Sequence, residues 1–340
     1  MNHTELQPVI YLDHAATSWP KPPAVAQQTV VALSDLMANA GRSGHAASLE
    51  TAQRVFEARE QFATLLGVPR SEDLIFVRGC TEGLNLVIKG LLRPGASVAV
   101  SPLEHNSVMR PLMRMVEQCG ISTTTLPADP FGRLDLEACQ HLLAQNHFDL
   151  AAVCHGSNVN GIVQDLAAVG TIFADTPLLV DAAQTAGVLP INVVEDRINF
   201  LACSAHKGLL GPTGVGLCYL DPRWEVTPLL EGGTGSRSES LEHPPFRPDR
   251  YEAGTLNLHG IAGAMGGLQH LQDSGLLGDH KRRLSQLLLD GVRAIPGVQL
   301  QTPSDAGALC VSLTLRDIRP DEIALQLEEK FRILCRPGLQ

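Results

Sequence analysis

From Leu74 to Leu220 the chain alternates short apolar runs with longer amphipathic stretches, and this rhythm restricts the fold more than any other property. The runs Leu74-Ile-Phe-Val77, Ser97-Val-Ala-Val-Ser101, Ile121–Leu126, Leu150–Cys154, Pro177-Leu-Leu-Val-Asp181 and Asn199-Phe-Leu-Ala-Cys203 are short and bounded by turn residues, as buried strands are. Helical patterns fall between them at Leu84–Leu91, from the Pro102–Ser107 opening to Cys119, near Asp135–Ala144 and at Leu166–Ala174. Such alternation builds an α/β fold around a mainly parallel central sheet with helices on both faces. Upstream, helices are expected at Ala24–Met37 and Ser48–Leu66, the second amphipathic through Val55, Phe56, Phe62 and Leu65. Gly208–Gly216 reads as a tight loop leading into a strand at Val215–Leu220, and the polar stretch Glu231–Arg250 as a long loop. Helical patterns at Leu258–Gln272 and Asp279–Ala294, strand-like runs at Val298–Gln301 and Ala308–Leu315, and a helix at Asp321–Glu329 suggest a smaller α+β domain.

Composition narrows the function. A net charge of −10 over 340 residues, with no basic block, argues against nucleic acid as the main partner. No segment reaches the roughly 18 apolar residues that cross a bilayer, and the first residues lack the basic and apolar regions of a signal peptide. The eight cysteines are scattered without a C-x-x-C pair, which reads as reduced thiols, not as disulfides or metal ligands. The expectation is a soluble cytoplasmic protein that acts on a small molecule.

The polar residues that close the apolar runs carry the chemistry. Asn199–Cys203 breaks into Ser204, His206 and Lys207 and then into glycines. Ligands of α/β proteins bind just beyond the carboxyl ends of the strands. A lysine partly desolvated there tends to lose its proton, and a neutral amine can form a Schiff base with an aldehyde. A lysine in a surface turn has the same letters. Asp181 closes another run, where its charge calls for a cation such as a protonated pyridine nitrogen, although it could instead cap a helix. Gln184 either reaches a ring hydroxyl or is an ordinary helix residue. Gly79-Cys80-Thr81 opens a helix with free N–H groups and a hydroxyl, a phosphate site or a simple cap. Ser204 and His206 could extend that cup, and His105 could lie flat on an aromatic cofactor or serve structure alone. Asn39-Ala-Gly-Arg-Ser-Gly-His45 reads by itself as a connector. Taken together, the set matches an aldehyde cofactor with a ring nitrogen and a phosphate.

At this level the chain resembles the cysteine desulfurase branch of the class V aminotransferases. The matching pieces are Tyr11-Leu-Asp-His-Ala-Ala-Thr, Asn39-x-x-Arg-x-x-His45, Arg78-Gly-Cys-Thr-Glu, Glu104-His-Asn-Ser, Ser157-Asn-Val-x-Gly, Asp181-Ala-Ala-Gln184, Ser204-Ala-His-Lys207 and Tyr251-Glu-Ala-Gly-Thr255-Leu-Asn. The resemblance implies a type I fold dependent on pyridoxal 5'-phosphate, working as a homodimer. It implies a large cofactor-binding domain at 15–257 and a small domain from 1–14 and 258–340. By resemblance Lys207 holds the cofactor, His105 stacks on its ring, Asp181 pairs with the ring nitrogen and Gln184 contacts the ring hydroxyl. Thr81, Ser204 and His206 take the phosphate, with Cys80 packed beside it and Thr255 contributed by the partner subunit. Arg42, His45, Asn158 and Arg336 lie on the substrate side, Asn158 also touching the cofactor.

Family members continue from Arg-x-Gly-x-x into a cysteine that attacks substrate sulfur, and later into an arginine that holds the substrate carboxylate. Here the sequence reads Arg336-Pro-Gly-Leu-Gln340 and ends, and Cys335 does not match the nucleophile. One expectation is a UGA selenocysteine codon after Gln340; a cloning boundary or a damaged gene are the plainer readings, and the genomic codon decides. The activity implied is removal of sulfur or selenium from L-cysteine or an analogue to give alanine, with a sulfur-acceptor protein as partner. C–S β-elimination or transamination on the same cofactor is the alternative, and a non-catalytic partner protein is another.

Overall fold

A computed structural model describes residues 8–35, 38–40, 44–237, 239–303 and 309–338. Seven strands form the central sheet: β2 (Leu74–Val77), β3 (Ser97–Val100), β4 (Ser122–Thr125), β5 (Leu150–Cys154), β6 (Leu178–Asp181), β7 (Phe200–Ser204) and β8 (Gly216–Leu220). Their spatial order is β2-β8-β7-β6-β5-β3-β4. The pairs β3·β4, β3·β5, β5·β6 and β6·β7 are parallel, and β8 alone runs antiparallel, between β2 and β7. Parallel neighbours with crossover helices put the carboxyl ends of β5, β6 and β7 side by side, with Cys154 in register with Asp181 and Asp181 with Ala202.

Alternation along the strands divides the core in two. Phe76, Ala99, Val153, Val180, Leu201 and Leu217 face one side, where α2 (Ala46–Leu66), α5 (Leu136–Gln145), α6 (Leu166–Ile172) and α7 (Leu258–Ser274) pack. Ile75, Val98, Ala152, Leu179, Phe200 and Cys218 face the other, under α3 (Cys80–Leu91) and α4 (Asn106–Cys119). Burial on both faces is why these runs read as unbroken apolar segments.

α7 lies along α1 (Pro23–Ser34) on the main core. A side chain at Gly266 would strike the Ala24 carbonyl and one at Gly267 the Leu209 carbonyl, so these glycines let the helix back directly onto the loop that carries Lys207. α8 (Gly278–Arg293), β9 (Val298–Leu300), β10 (Leu313–Leu315) and α9 (Pro320–Phe331) follow, β9 and β10 as an antiparallel pair. β1 (Ile10–Tyr11) and β11 (Ile333–Leu334) pair in parallel, joining the two ends of the described chain. Two residues per strand leave no periodicity, so neither is expressed in the sequence pattern.

Two expected elements differ. The first helix starts at Pro23, whose fixed φ suits a helix start, and ends at Ser34 because Asp35 is extended (φ −81°, ψ 158°). The run Ala308–Leu315 contributes only Leu313–Leu315 to a strand, and Ala308 lies outside the described residues. No helix among the described residues is long and apolar enough to cross a membrane.

Candidate active site

Lys207 lies three residues past the end of β7, half-buried, in a loop held from three sides. The loop closes on itself: Ala205 donates to the Val215 carbonyl at 2.9 Å, Leu210 to that of Lys207 at 3.0 Å, and Gly211 to that of Ala205 at 2.8 Å. Leu210 takes a left-handed conformation (φ 61°), a strained choice for a branched residue that the α7 backing holds in place. From the third side, the N-terminal segment grips the neighbouring carbonyl. His206 O accepts from Ser18 N (3.0 Å), Thr17 Oγ1 (3.1 Å), Ser18 Oγ (3.1 Å) and Lys21 Nζ (2.7 Å). Gln184 adds to the same clamp, its Nε2 donating to Ala15 O at 2.8 Å. The Tyr11–Thr17 motif and Lys21 therefore orient the lysine loop, which the sequence alone does not express because 185 positions separate Lys21 from His206.

Asp181 ends β6 on the α3 side of the sheet, 5% exposed. Its Oδ1 accepts from Ala183 N at 2.9 Å and from the Cys80 thiol at 3.3 Å, and no salt bridge neutralises it among the described residues. No helix follows Asp181 for it to cap. Burial, with the Asp181 charge beside it, raises the Cys80 thiol well above its ordinary pKa, so Cys80 is a packed, protonated donor. Its backbone N–H donates to Ser204 Oγ at 2.9 Å, fastening the start of α3 to the end of β7. Thr81 Oγ1 and Ser107 Oγ share a 2.7 Å hydrogen bond, which brings the starts of α3 and α4 together. His206 Nδ1 is buried without a hydrogen-bond partner, and burial followed by the charges of Lys207 and Lys21 brings its pKa down to about 4. Cys80 and Ser204 thus meet at one end of the site, with Thr81 next in the chain to Cys80 and His206 two residues past Ser204.

His105 caps α4, its Nδ1 accepting from Ser107 N at 3.1 Å, so the proton of the neutral ring is on Nε2. Burial lowers its pKa, Lys207 and Arg110 adding to the effect and Asp181 opposing it. His105 and Cys80 each lie within electrostatic reach of both Asp181 and Lys207. Glu104, its neighbour, opens the Glu104-His-Asn-Ser motif. Its Oε1 accepts from Ser101 Oγ and Cys154 N, both at 2.6 Å, while Oε2 is buried without a partner. Burial pushes this carboxyl up to about 8, more strongly than the two hydrogen bonds pull it down.

The remaining expected residues are scattered around this centre. Asn158 follows β5, half-buried, in the Ser157–Gly161 turn. His45 caps α2, accepting from Ser48 N through Nδ1 at 3.2 Å, a helix-capping role. Arg42 lies outside the described residues. Arg336 is ion-paired to Asp13 (2.9 Å), beside the β1–β11 pair. Thr255 is exposed. Its motif is anchored instead by Glu252, which receives Arg59 at 2.7 and 2.9 Å and Phe76 N at 2.7 Å in the core. No group of three or more acidic, histidine or cysteine side chains suited to a metal exists among the described residues.

This donor set fits pyridoxal phosphate. It offers an amine at a strand end, a buried carboxylate without a cation, and a helix start with hydroxyls and an unpartnered imidazole nitrogen. A family model described as aminotransferase class-V matches residues 10–340. The chain is 30% identical to a probable cysteine desulfurase of Methanothermobacter thermautotrophicus, over 97% of this chain and 84% of that protein. Among solved structures it is similar to an apo cysteine desulfurase from Thermococcus onnurineus NA1 (TM-score 0.90, 30% identity, 96% of this chain and 84% of that one). It is also similar to the Escherichia coli cysteine desulfurase CsdA (TM-score 0.85, 29% identity, 96% and 84%). Both class V aminotransferases and cysteine desulfurases use pyridoxal 5'-phosphate. With the family match spanning nearly all of its length and the site to go with it, the chain belongs to the class V aminotransferase family.

Proposed function

We propose that the protein removes sulfur, or selenium, from L-cysteine or a close analogue to give alanine, the sulfur passing as a persulfide to an attacking thiolate that residues 1–340 do not themselves supply and that an external thiol would provide. The observation that carries the reading is the convergence beyond the carboxyl ends of β6 and β7 of Lys207, the buried Asp181 carboxyl group and the Cys80–Thr81 helix start, with Cys80 hydrogen-bonded to both Asp181 and Ser204. Lys207 would hold the cofactor and move the proton at Cα of the substrate. Asp181, kept out of water and without another cation, would face the ring nitrogen, and Gln184 the ring hydroxyl. His105 would stack its ring on that of the cofactor. Thr81, Ser204 and His206 would take the phosphate, with Cys80 packed alongside. Bound pyridoxal phosphate supplies the electron sink for charge developing at Cα. His45 and Arg336, both engaged in other contacts, together with Arg42 and Asn158, belong to the substrate side of this reading.

The same reading includes a homodimer in which Thr255, exposed on one subunit, completes the site of its partner, and a sulfur-acceptor protein in the cytoplasm. Residues 15–257 form its large cofactor-binding unit; 1–14 and 258–340 form the smaller one. The test is product analysis after incubation with L-cysteine and a small thiol. Alanine released in step with sulfur supports the proposal. Pyruvate with ammonia and sulfide replaces it with β-elimination, and no product at all leaves a non-catalytic protein.

A further inference from the structure

We infer that Asp13 is a positioning residue at the centre of a strap, residues 10–21, that ties β11 and Arg336 to the Lys207 loop, so that filling the cofactor site orders the Arg336 segment and the ordered segment in turn strengthens cofactor binding; this rests on the reading of Lys207 as the residue that holds the cofactor. One end of the strap is fastened to the C-terminal strand. Ile10 N donates to Arg332 O at 3.0 Å and Leu12 N to Leu334 O at 2.8 Å. Arg336 then grips Asp13 with both arms of its guanidinium, Nε donating to Oδ1 at 3.0 Å and Nη2 to Oδ2 at 2.9 Å. Such a fork fixes an angle as well as a distance. The other end is the four-donor clamp of Thr17, Ser18 and Lys21 on His206 O, with Gln184 Nε2 on Ala15 O.

Between the two ends the strap is braced by itself. The Tyr11 hydroxyl donates within reach of both Asp13 O (3.1 Å) and Thr17 O (3.0 Å), and Ala16 N donates to Asp13 O at 3.1 Å. The Tyr11 ring stands edge-on to His14 and Trp19, with centroids 4.9 and 5.6 Å away. Asp13 therefore bonds towards Arg336 through its carboxylate and towards the clamp through its carbonyl, and a shift at one end is carried to the other. The C-terminal end is the weaker one. β1 and β11 have two residues each, and Ile10 and Leu12 are each 50% exposed, so their pairing gains little from apolar burial. A marginal element of this kind responds to what holds its neighbour. By linkage, the factor by which the cofactor stabilises the strap is the factor by which the strap raises cofactor affinity.

The test is amide hydrogen exchange read by mass spectrometry, with and without pyridoxal phosphate, in the wild type, Asp13→Asn, Arg336→Gln and the double variant, together with cofactor affinity by fluorescence titration. In the wild type the cofactor should slow exchange in the Lys207 loop, at Ala205 and Gly211, and also at Ile10 and Leu12, by about threefold or more at the latter two. In either single variant the slowing at Ile10 and Leu12 should fall to within about 1.5-fold while that of the loop persists, and affinity should drop about threefold, the size of one partly exposed charge pair. The double variant should lose no more affinity than a single one, since both remove the same link. A wild type in which the cofactor protects the Lys207 loop but not Ile10 and Leu12 overturns the strap and leaves the cofactor reading standing. So do affinity losses that add in the double variant, because Asp13 and Arg336 would then act separately. A wild type whose Lys207 loop is unchanged by bound cofactor overturns the reading of Lys207 itself.

Discussion

Replacing Glu252 by alanine should unfold the protein far more readily than its distance from Lys207 suggests. Both side chains of the Arg59–Glu252 pair are 6% exposed. Arg59 also donates to Leu74 O at 2.6 Å and lies 4.6 Å over the Phe76 ring, and Glu252 receives Phe76 N at 2.7 Å. Glu252→Ala leaves a guanidinium buried without its anion, at a cost of about 3–5 kcal/mol, and orphans a backbone donor of β2, about 1–3 kcal/mol more. Allowing for partial relaxation, a loss of about 5 kcal/mol is expected. Arg59→Met combined with Glu252→Leu removes both charges, so it should be less damaging than Glu252→Ala alone, with a coupling energy of at least ~2 kcal/mol. Urea unfolding followed by circular dichroism, for the wild type, both single variants and the double variant, provides the numbers. A loss below about 1 kcal/mol for Glu252→Ala, or a double variant weaker than either single one, would refute the reasoning. Because Glu252 anchors the segment that ends in Thr255, the single variant should also hold pyridoxal phosphate less tightly.

Three other residues give measurable outcomes. His155 is buried and its pKa is brought down to about 3 from 6.5, so the unfolded chain takes up a proton that the native one refuses. Stability should fall as pH drops from 6.5 towards 3, by about 2 kcal/mol near pH ~5 from this group, and His155→Leu should flatten the slope in urea titrations. Glu104 behaves in the opposite sense: with its pKa raised from 4.5 to about 8, the native state keeps a proton that the unfolded chain releases, and stability falls as pH rises through that window. Glu104→Gln retains an acceptor for Ser101 and Cys154, so it should gain on the wild type between pH ~5 and ~8; an offset independent of pH would argue that Glu104 is ionised. Lys21→Met removes a charge-assisted bond to His206 O and should weaken pyridoxal phosphate binding about tenfold in a fluorescence titration, whereas an unchanged affinity would mean that the clamp does not hold the Lys207 loop.

What could be read from the sequence follows from the range of the interaction involved. Strands buried on both faces, such as Leu150–Cys154 and Phe200–Ser204, have to be apolar, so a polar residue at their ends, Asp181 or Ser204, stands out without any knowledge of its partners. The starts of α3 and α4 were legible for the same reason, since caps are local. Glu104 was not, because its meaning depends on the Cys154 N–H of another strand. Glu252 lies 193 positions from Arg59, and a lone glutamate in a polar segment gives no hint of a buried pair. His45 shows the opposite failure: a residue in a family-like motif whose visible role is to cap a helix.

The central claim is that Lys207 is the residue that carries pyridoxal phosphate. Borohydride reduction of the cofactor-loaded protein, followed by peptide mapping in a mass spectrometer, tests it directly because a second lysine, Lys21, is bonded to the carbonyl of the neighbouring His206. The account predicts a pyridoxyl adduct on the peptide bearing Lys207 and its loss in Lys207→Ala. An adduct on Lys21 or any other lysine, or an unmodified Lys207 in protein that retains the cofactor, would contradict it.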